Sequence, residues 1–198
     1  MSASTTSTTK RLGTSTSDIA LIAVFAALIA VCSVSAALPI GINGVPITLQ
    51  VFAVFLTGAV LGSWRGFLSV LLYLVVGAAG LPIFAGGAAG LAPFAGGTGG
   101  YLVAFPFAAA IVGFTVERLH RRQLAITAGA VVVAGVIAEL LVYAGGAAGF
   151  VAFLDMGWRA AFTAAAAYIP GDLVKLVVAA IVAAAVHRAF PTLLGVRR

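Results

Sequence analysis

The chain has 198 residues, of which 63% are hydrophobic and only 8% charged, with a net charge of +6. A soluble domain carries roughly three times that share of charged residues, so the composition excludes a water-soluble body and specifies an integral membrane protein. The basic excess does not point to nucleic acid, because Lys and Arg lie at the ends of apolar runs, where membrane proteins keep them on the cytoplasmic side.

Residues 1–17 are dominated by Ser and Thr and are expected to be a disordered cytoplasmic tail. A crossing helix needs about 20 apolar residues. Ile19–Leu38 supplies the first, with Pro39 as its stop, and the shorter runs Ile47–Leu61 and Phe67–Ala79 follow on either side of Gly62-Ser63-Trp64-Arg65-Gly66. Gly80–Leu102 then holds eight glycines and no charged group. The fourth span is expected at Thr98–Val116, the fifth at Leu124–Tyr143 and the sixth at Ile169–Val186. Between the last two, residues 144–168 read as a loop and then a short interfacial helix anchored by Trp158, unless Ala160–Ala167 lengthens the sixth span. The expected architecture is all-α: a six-helix membrane domain over residues 18–190 and a basic cytoplasmic tail over 191–198.

With the N-terminus inside, the cytoplasmic segments hold Lys10, Arg11, Arg65, Arg118, Arg121, Arg122, Arg188, Arg197 and Arg198, and the outer segments hold Arg159. That bias places both termini in the cytoplasm. It also sends three irregular segments to the outer face: residues 39–50, the glycine run, and the loop before Ile169. Irregular backbone at membrane depth is tolerated where protein buries it or where it lines a cavity. The glycine run therefore reads as a flexible lid over a ligand.

Lys175 is the basic residue left inside a span, and Asp172 lies three positions before it on the same helix face. Each such charge costs on the order of 2.5–3.5 kcal/mol at mid-membrane. The pair is either a salt bridge that steadies the helix start or a polar element of the outer cavity. Glu139 also needs a partner, for which Lys175 or a polar ligand group would serve. Thr48 and Gln50 offer hydrogen bonds in the same layer, whereas Asn43 suits a turn. Tyr101 ends the glycine run; Tyr73, Tyr143 and Tyr168 read as packing residues. No phosphate loop or dinucleotide fingerprint is present. His120 and His187 fall at cytoplasmic helix ends and are expected to be solvated, Cys32 is alone, and no metal site, cofactor or catalytic nucleophile is evident. The chain therefore does not read as an enzyme. On the first helix Ala23, Ala26, Ala27 and Ala30 form small-residue pairs four apart, a pattern that permits close docking of another membrane protein.

Four stretches together resemble the BioY family, the biotin-specific substrate-binding (S) components of energy-coupling-factor (ECF) transporters: Gly44–Gln50 (GVPITLQ), Gly80–Phe84 (GLPIF), Gly96–Leu102 (GGTGGYL) and Pro170–Lys175 (PGDLVK). The family commonly has proline where Gly97 stands, so the outer loop here gains backbone freedom. The resemblance implies six helices and biotin held near the outer surface of the cytoplasmic (inner) membrane. It implies that Asp172 and Lys175 contact the vitamin, and the candidate site adds Thr48, Gln50, Phe84, Thr98, Gly99, Gly100 and Tyr101. For the carboxylate of biotin, Thr98, glycine N–H groups and Arg159 are the candidates. It further implies that the alanine face of the first helix meets a transmembrane coupling protein carrying two ABC-type ATPases, which alone hydrolyse ATP. The alternatives are an S component for another small vitamin and a solitary biotin permease acting without the ATPase module.

Overall fold

The computed structural model describes residues 15–35, 45–121 and 127–194, apart from the side chain of Arg121. The expected features at Lys10, Arg11, Pro39, Asn43, Arg122, Arg197 and Arg198 lie outside these residues, as do most of the expected N-terminal tail and the second half of the C-terminal one. The described residues are all-helical: α1 (Thr16–Val34), α2 (Gln50–Leu61), α3 (Ser63–Ala78), α4 (Gly99–Arg121), α5 (Ala128–Leu154), α6 (Trp158–Ala166) and α7 (Ile169–Ala189). Of these, α1, α4, α5 and α7 are long and apolar enough to cross a membrane, while α2 and α3 are shorter apolar helices.

Helix α1 begins earlier than its apolar run because Ser15 and Asp18 form a capping box, each side chain accepting from the other's backbone N–H. Helices α2 and α4 form the middle of the bundle: α2 packs on α1, α3, α4 and α7, and α4 on α2, α3 and α5. All twelve residues of α2 except Phe52 are buried. The expected loop around Arg65 is instead a sharp joint. Gly62 turns the chain at φ 86°, a conformation other residues rarely adopt. Glu117 of α4 accepts from the Ser63 N–H (2.8 Å) and hydroxyl (3.0 Å), satisfying a free donor at the start of α3.

The largest departure from the sequence reading is in residues 144–154, expected to be loop but forming the last turns of α5. Glycine content misled the reading because these glycines serve packing. A Cβ on Gly146 would strike the ring of Tyr101, and one on Gly100 would strike the Gly145 carbonyl, so the two helices meet with almost no side chain between them. The short helix headed by exposed Trp158 is present as α6 and is separate from α7.

A second departure is His187, expected to be solvated. It is buried, with Nε2 2.7 Å from the Ala59 carbonyl, and so joins α7 to α2. At the same end Arg65 donates to the carbonyls of Leu61 (2.9 Å) and Leu193 (2.8 Å) and pairs with Asp18 at 3.3 Å.

The central seam gives a stability prediction. A Cβ at Gly58 would collide with the backbone carbonyl of Ala109, whereas Gly129, near the start of α5, meets nothing closer than 3.9 Å. Gly58→Ala should cost about 1–3 kcal/mol and lower the unfolding temperature of the purified protein, while Gly129→Ala should leave it unchanged or slightly raised.

Candidate functional site

Two adjoining hollows open at the end of the bundle that carries the glycine run. Val45, Pro46, Ile47, Thr48, Gln50, Thr98, Tyr101, Tyr168, Asp172 and Lys175 are among the residues around the smaller, whose volume is about 50 Å³. The larger, about 460 Å³, lies under the glycine run and is lined by Phe84, Gly86, Ala88, Ala89, Ala92 and Pro93, among others. Pro46, Gln50, Ala85, Thr98 and Leu102 line both.

The polar wall of the smaller hollow comes from α7. Pro170 falls in its first turn, where a missing N–H costs nothing, and Asp172 follows in the same turn, favoured by the helix dipole. Lys175 Nζ donates to Asp172 Oδ1 at 2.7 Å, with the two side chains only 14% and 7% exposed. The hydroxyl of Tyr143, on α5, donates to the other carboxylate oxygen at 3.1 Å. Asp172 and Lys175 thus form a salt bridge and also line a hollow.

A second polar group ties three helices beneath the hollows. Gln50 Nε2 donates to the Tyr73 hydroxyl (3.0 Å), which donates to Ser33 of α1 (3.1 Å). The Thr48 hydroxyl accepts from the Gln50 N–H (3.2 Å), so Thr48 caps the approach to α2. Thr98 donates to the Pro93 carbonyl (2.7 Å), folding the end of the glycine run back on itself. Tyr168 lines the smaller hollow and donates to the Val45 carbonyl (2.7 Å). Sequence reasoning treated Tyr73, Tyr143 and Tyr168 as packing residues and missed these bonds, since an isolated tyrosine in an apolar run carries no local sign of its partner.

The glycine run is more ordered than a slack strap. It forms two short 3-10 turns, Ala85–Gly87 and Ala92–Ala95, with Gly86 at φ 69°. Phe84 anchors it: the ring is buried edge-on against Tyr73 and Phe94, and Gly77 of α3 leaves the space it fills.

Of the remaining candidates, Tyr101 lines the smaller hollow and packs against Phe150 and Tyr168, with its hydroxyl buried and without a hydrogen-bond partner among the described residues. Gly99 and Gly100 are not among the residues around either hollow. They fit against the Phe94 carbonyl and the backbone of α5, which makes them packing glycines. Glu139 is buried behind the site near Asp172, Tyr143 and Lys175, and neither oxygen has a hydrogen-bond partner among the described residues. Lys175 is committed to Asp172 instead. Arg159 is exposed on α6 and lines neither hollow. The alanine stripe divides: Ala26 is buried in the bundle and Ala30 partly so, leaving Ala23 and Ala27 on the surface. Among the described residues no group of His, Cys, Asp and Glu side chains is placed to hold a metal ion.

Removing the cation from this wall leaves a buried carboxylate without its counter-charge. Lys175→Met should destabilise the protein by about 3–5 kcal/mol, and adding Asp172→Asn to it should restore most of the loss, as read by thermal unfolding.

The sequence model of the BioY family matches residues 4–192. The biotin transporter BioY of Rhodobacter capsulatus is 43% identical over 189 residues, covering 91% of this chain and 98% of that protein. The biotin transporter BioY of Rhizobium etli is 38% identical, with 90% and 97% covered, and that of Thermotoga maritima 37%, with 81% and 89% covered. The fold is similar to the 2.1 Å crystal structure of the S-component for biotin from an ECF-type ABC transporter, at a TM-score of 0.78 and 24% identity over 87% of this chain and 91% of the other. With apolar helices long enough to cross a bilayer and near full-length agreement with these transporters, the chain is a multi-pass membrane protein and belongs to the BioY family.

Proposed function

We propose that this protein binds biotin and serves its uptake across the cytoplasmic membrane as the substrate-specific component of an ECF-type transporter. The observation that carries the reading is the buried Asp172–Lys175 pair set in the wall of a hollow whose other lining residues are uncharged. Biotin has a cyclic urea head, a thioether ring and an apolar chain ending in a carboxylate. A carboxylate beside an ammonium matches a urea, with Asp172 accepting from an N–H and Lys175 donating to the carbonyl. The ring faces of Tyr101, Tyr168 and Phe84 suit the fused bicycle and its chain.

The smaller hollow has room for a few water molecules but not for a fused bicycle. The ligand therefore extends across both hollows, past the residues they share: Pro46, Gln50, Ala85, Thr98 and Leu102. The chain crosses the bilayer six times in this reading, with α2 and α3 as the two short passes, α6 lying at the interface, and the hollows facing outward. Arg65, Arg118 and Arg188 then lie on the cytoplasmic side with both termini. Ala23 and Ala27, small and exposed on α1, provide the face for a coupling protein that carries the ATPases. No catalysis is assigned to the chain itself.

Two experiments test the reading. Asp172→Asn should weaken biotin binding by about 1.5–3 kcal/mol, a factor of roughly 10–150, in calorimetry on detergent-purified protein; unchanged affinity would remove Asp172 from the site. In a background lacking Cys32, a membrane-impermeant thiol reagent should label Arg159→Cys in intact cells and leave Arg118→Cys untouched. The reverse pattern would turn the hollows toward the cytoplasm.

A further inference from the structure

The charge inventory around the hollows leaves one end of the ligand without a partner. Between Asp18 and Arg65, and again between Arg65 and Glu117, the sequence contains no charged residue. These two stretches supply α2, α3 apart from Arg65, the glycine run, the start of α4 and every described residue that lines the larger hollow. Among the described residues the one cation lining either hollow is Lys175, already paired with Asp172 at 2.7 Å. Of the polar donors, Thr98 is engaged with the Pro93 carbonyl and Gln50 with Tyr73, which leaves the Tyr101 hydroxyl, a neutral group that serves an amide carbonyl as well as a carboxylate.

A carboxylate at the end of the ligand chain thus meets one of two environments. Inside the larger hollow it is buried among neutral groups, which penalises the charged form. At the mouth it stays hydrated, and water contributes the same solvation as in the free ligand. In neither case does the protein gain an ion pair that a neutral group would forfeit.

We propose that the site takes biotin derivatives whose tail is a neutral amide as well as biotin itself, so that its substrate class extends to amide-linked conjugates such as biotinyl-lysine. This rests on the reading of the chain as a biotin-binding protein, with the urea head at Asp172 and Lys175. Recognition is confined to the head, and the larger hollow, about 460 Å³, accommodates a tail by shape alone. Proteolysis of proteins that carry biotin in amide linkage to lysine is the class of reaction that supplies such ligands.

The test is equilibrium competition against labelled biotin on the full chain in lipid nanodiscs. The competitors are unlabelled biotin, biotinamide and Nε-biotinyl-lysine. Both amides should displace the label within about fivefold of biotin. If biotin binds but both amides are weaker by more than about 30-fold, a charge-selective group holds the carboxylate and the proposal is overturned. If labelled biotin itself does not bind, the functional reading fails and the proposal falls with it.

Discussion

An acid and a base one helical turn apart in an oily environment impose the main constraint on this fold. Asp172 and Lys175 are almost entirely withdrawn from water, and their attraction offsets the cost only because the contact is short and the second carboxylate oxygen also has a donor. That donor, Tyr143, lies on α5, so the charge pair dictates how α5 and α7 face each other. The pair also sets the polarity of the hollow. Every other described residue that lines this hollow is uncharged, so the pair is its one charged point.

Close backbone approach is what permits such a wall to be built. In hydrocarbon, apolar side chains gain little by leaving lipid for a helix neighbour, so helices associate through tight contact between small residues. Gly58 meets Ala109, Gly113 meets Gly62, and Gly100 meets Gly145, drawing α2 and α5 onto α4 from different directions. Tyr101 sits where two of these requirements meet. Its ring packs on Gly146, and its position at the start of α4 is what places it on the hollow. Glycines that look like helix breakers in a one-dimensional reading are here the surfaces on which helices rest.

This explains which features were legible in the sequence. Apolar length located the long helices, and α7 begins at Ile169 as expected, but α4 runs five residues and α5 eleven residues past the expected ends. Asp172, Lys175, Gln50, Thr48, Thr98 and Tyr101 were readable because polar or aromatic residues stand out in so apolar a chain, and all six line the smaller hollow. Residues 144–154 were misread because Gly145, Gly146 and Gly149 lower helix propensity locally, while the packing that compensates comes from residues some forty positions earlier. Gly99 and Gly100 drew attention through composition, although their contacts are with backbone. His187 was misplaced because its acceptor, the Ala59 carbonyl, is a backbone group that leaves no trace in sequence. The tyrosine bonds were hidden for the same reason: Tyr73, Tyr143 and Tyr168 find partners on other elements.

The two ends of the bundle are fastened differently. At the end away from the hollows, Arg65 reaches Asp18, Leu61 and Leu193, Glu117 holds the start of α3, and His187 holds α2 to α7. Several of these bonds involve a charged group, and such bonds contribute roughly 1.5–3 kcal/mol each. Across the hollows, the segment before α2 is held to Tyr168 by a neutral hydrogen bond to the Val45 carbonyl, worth about 0.5–1.5 kcal/mol. The glycine run, although pinned by Phe84, otherwise covers the larger hollow with small residues that bury little surface. Separating the end that holds Arg65, Glu117 and His187 would break several charged or buried bonds together, which keeps the helices in register there.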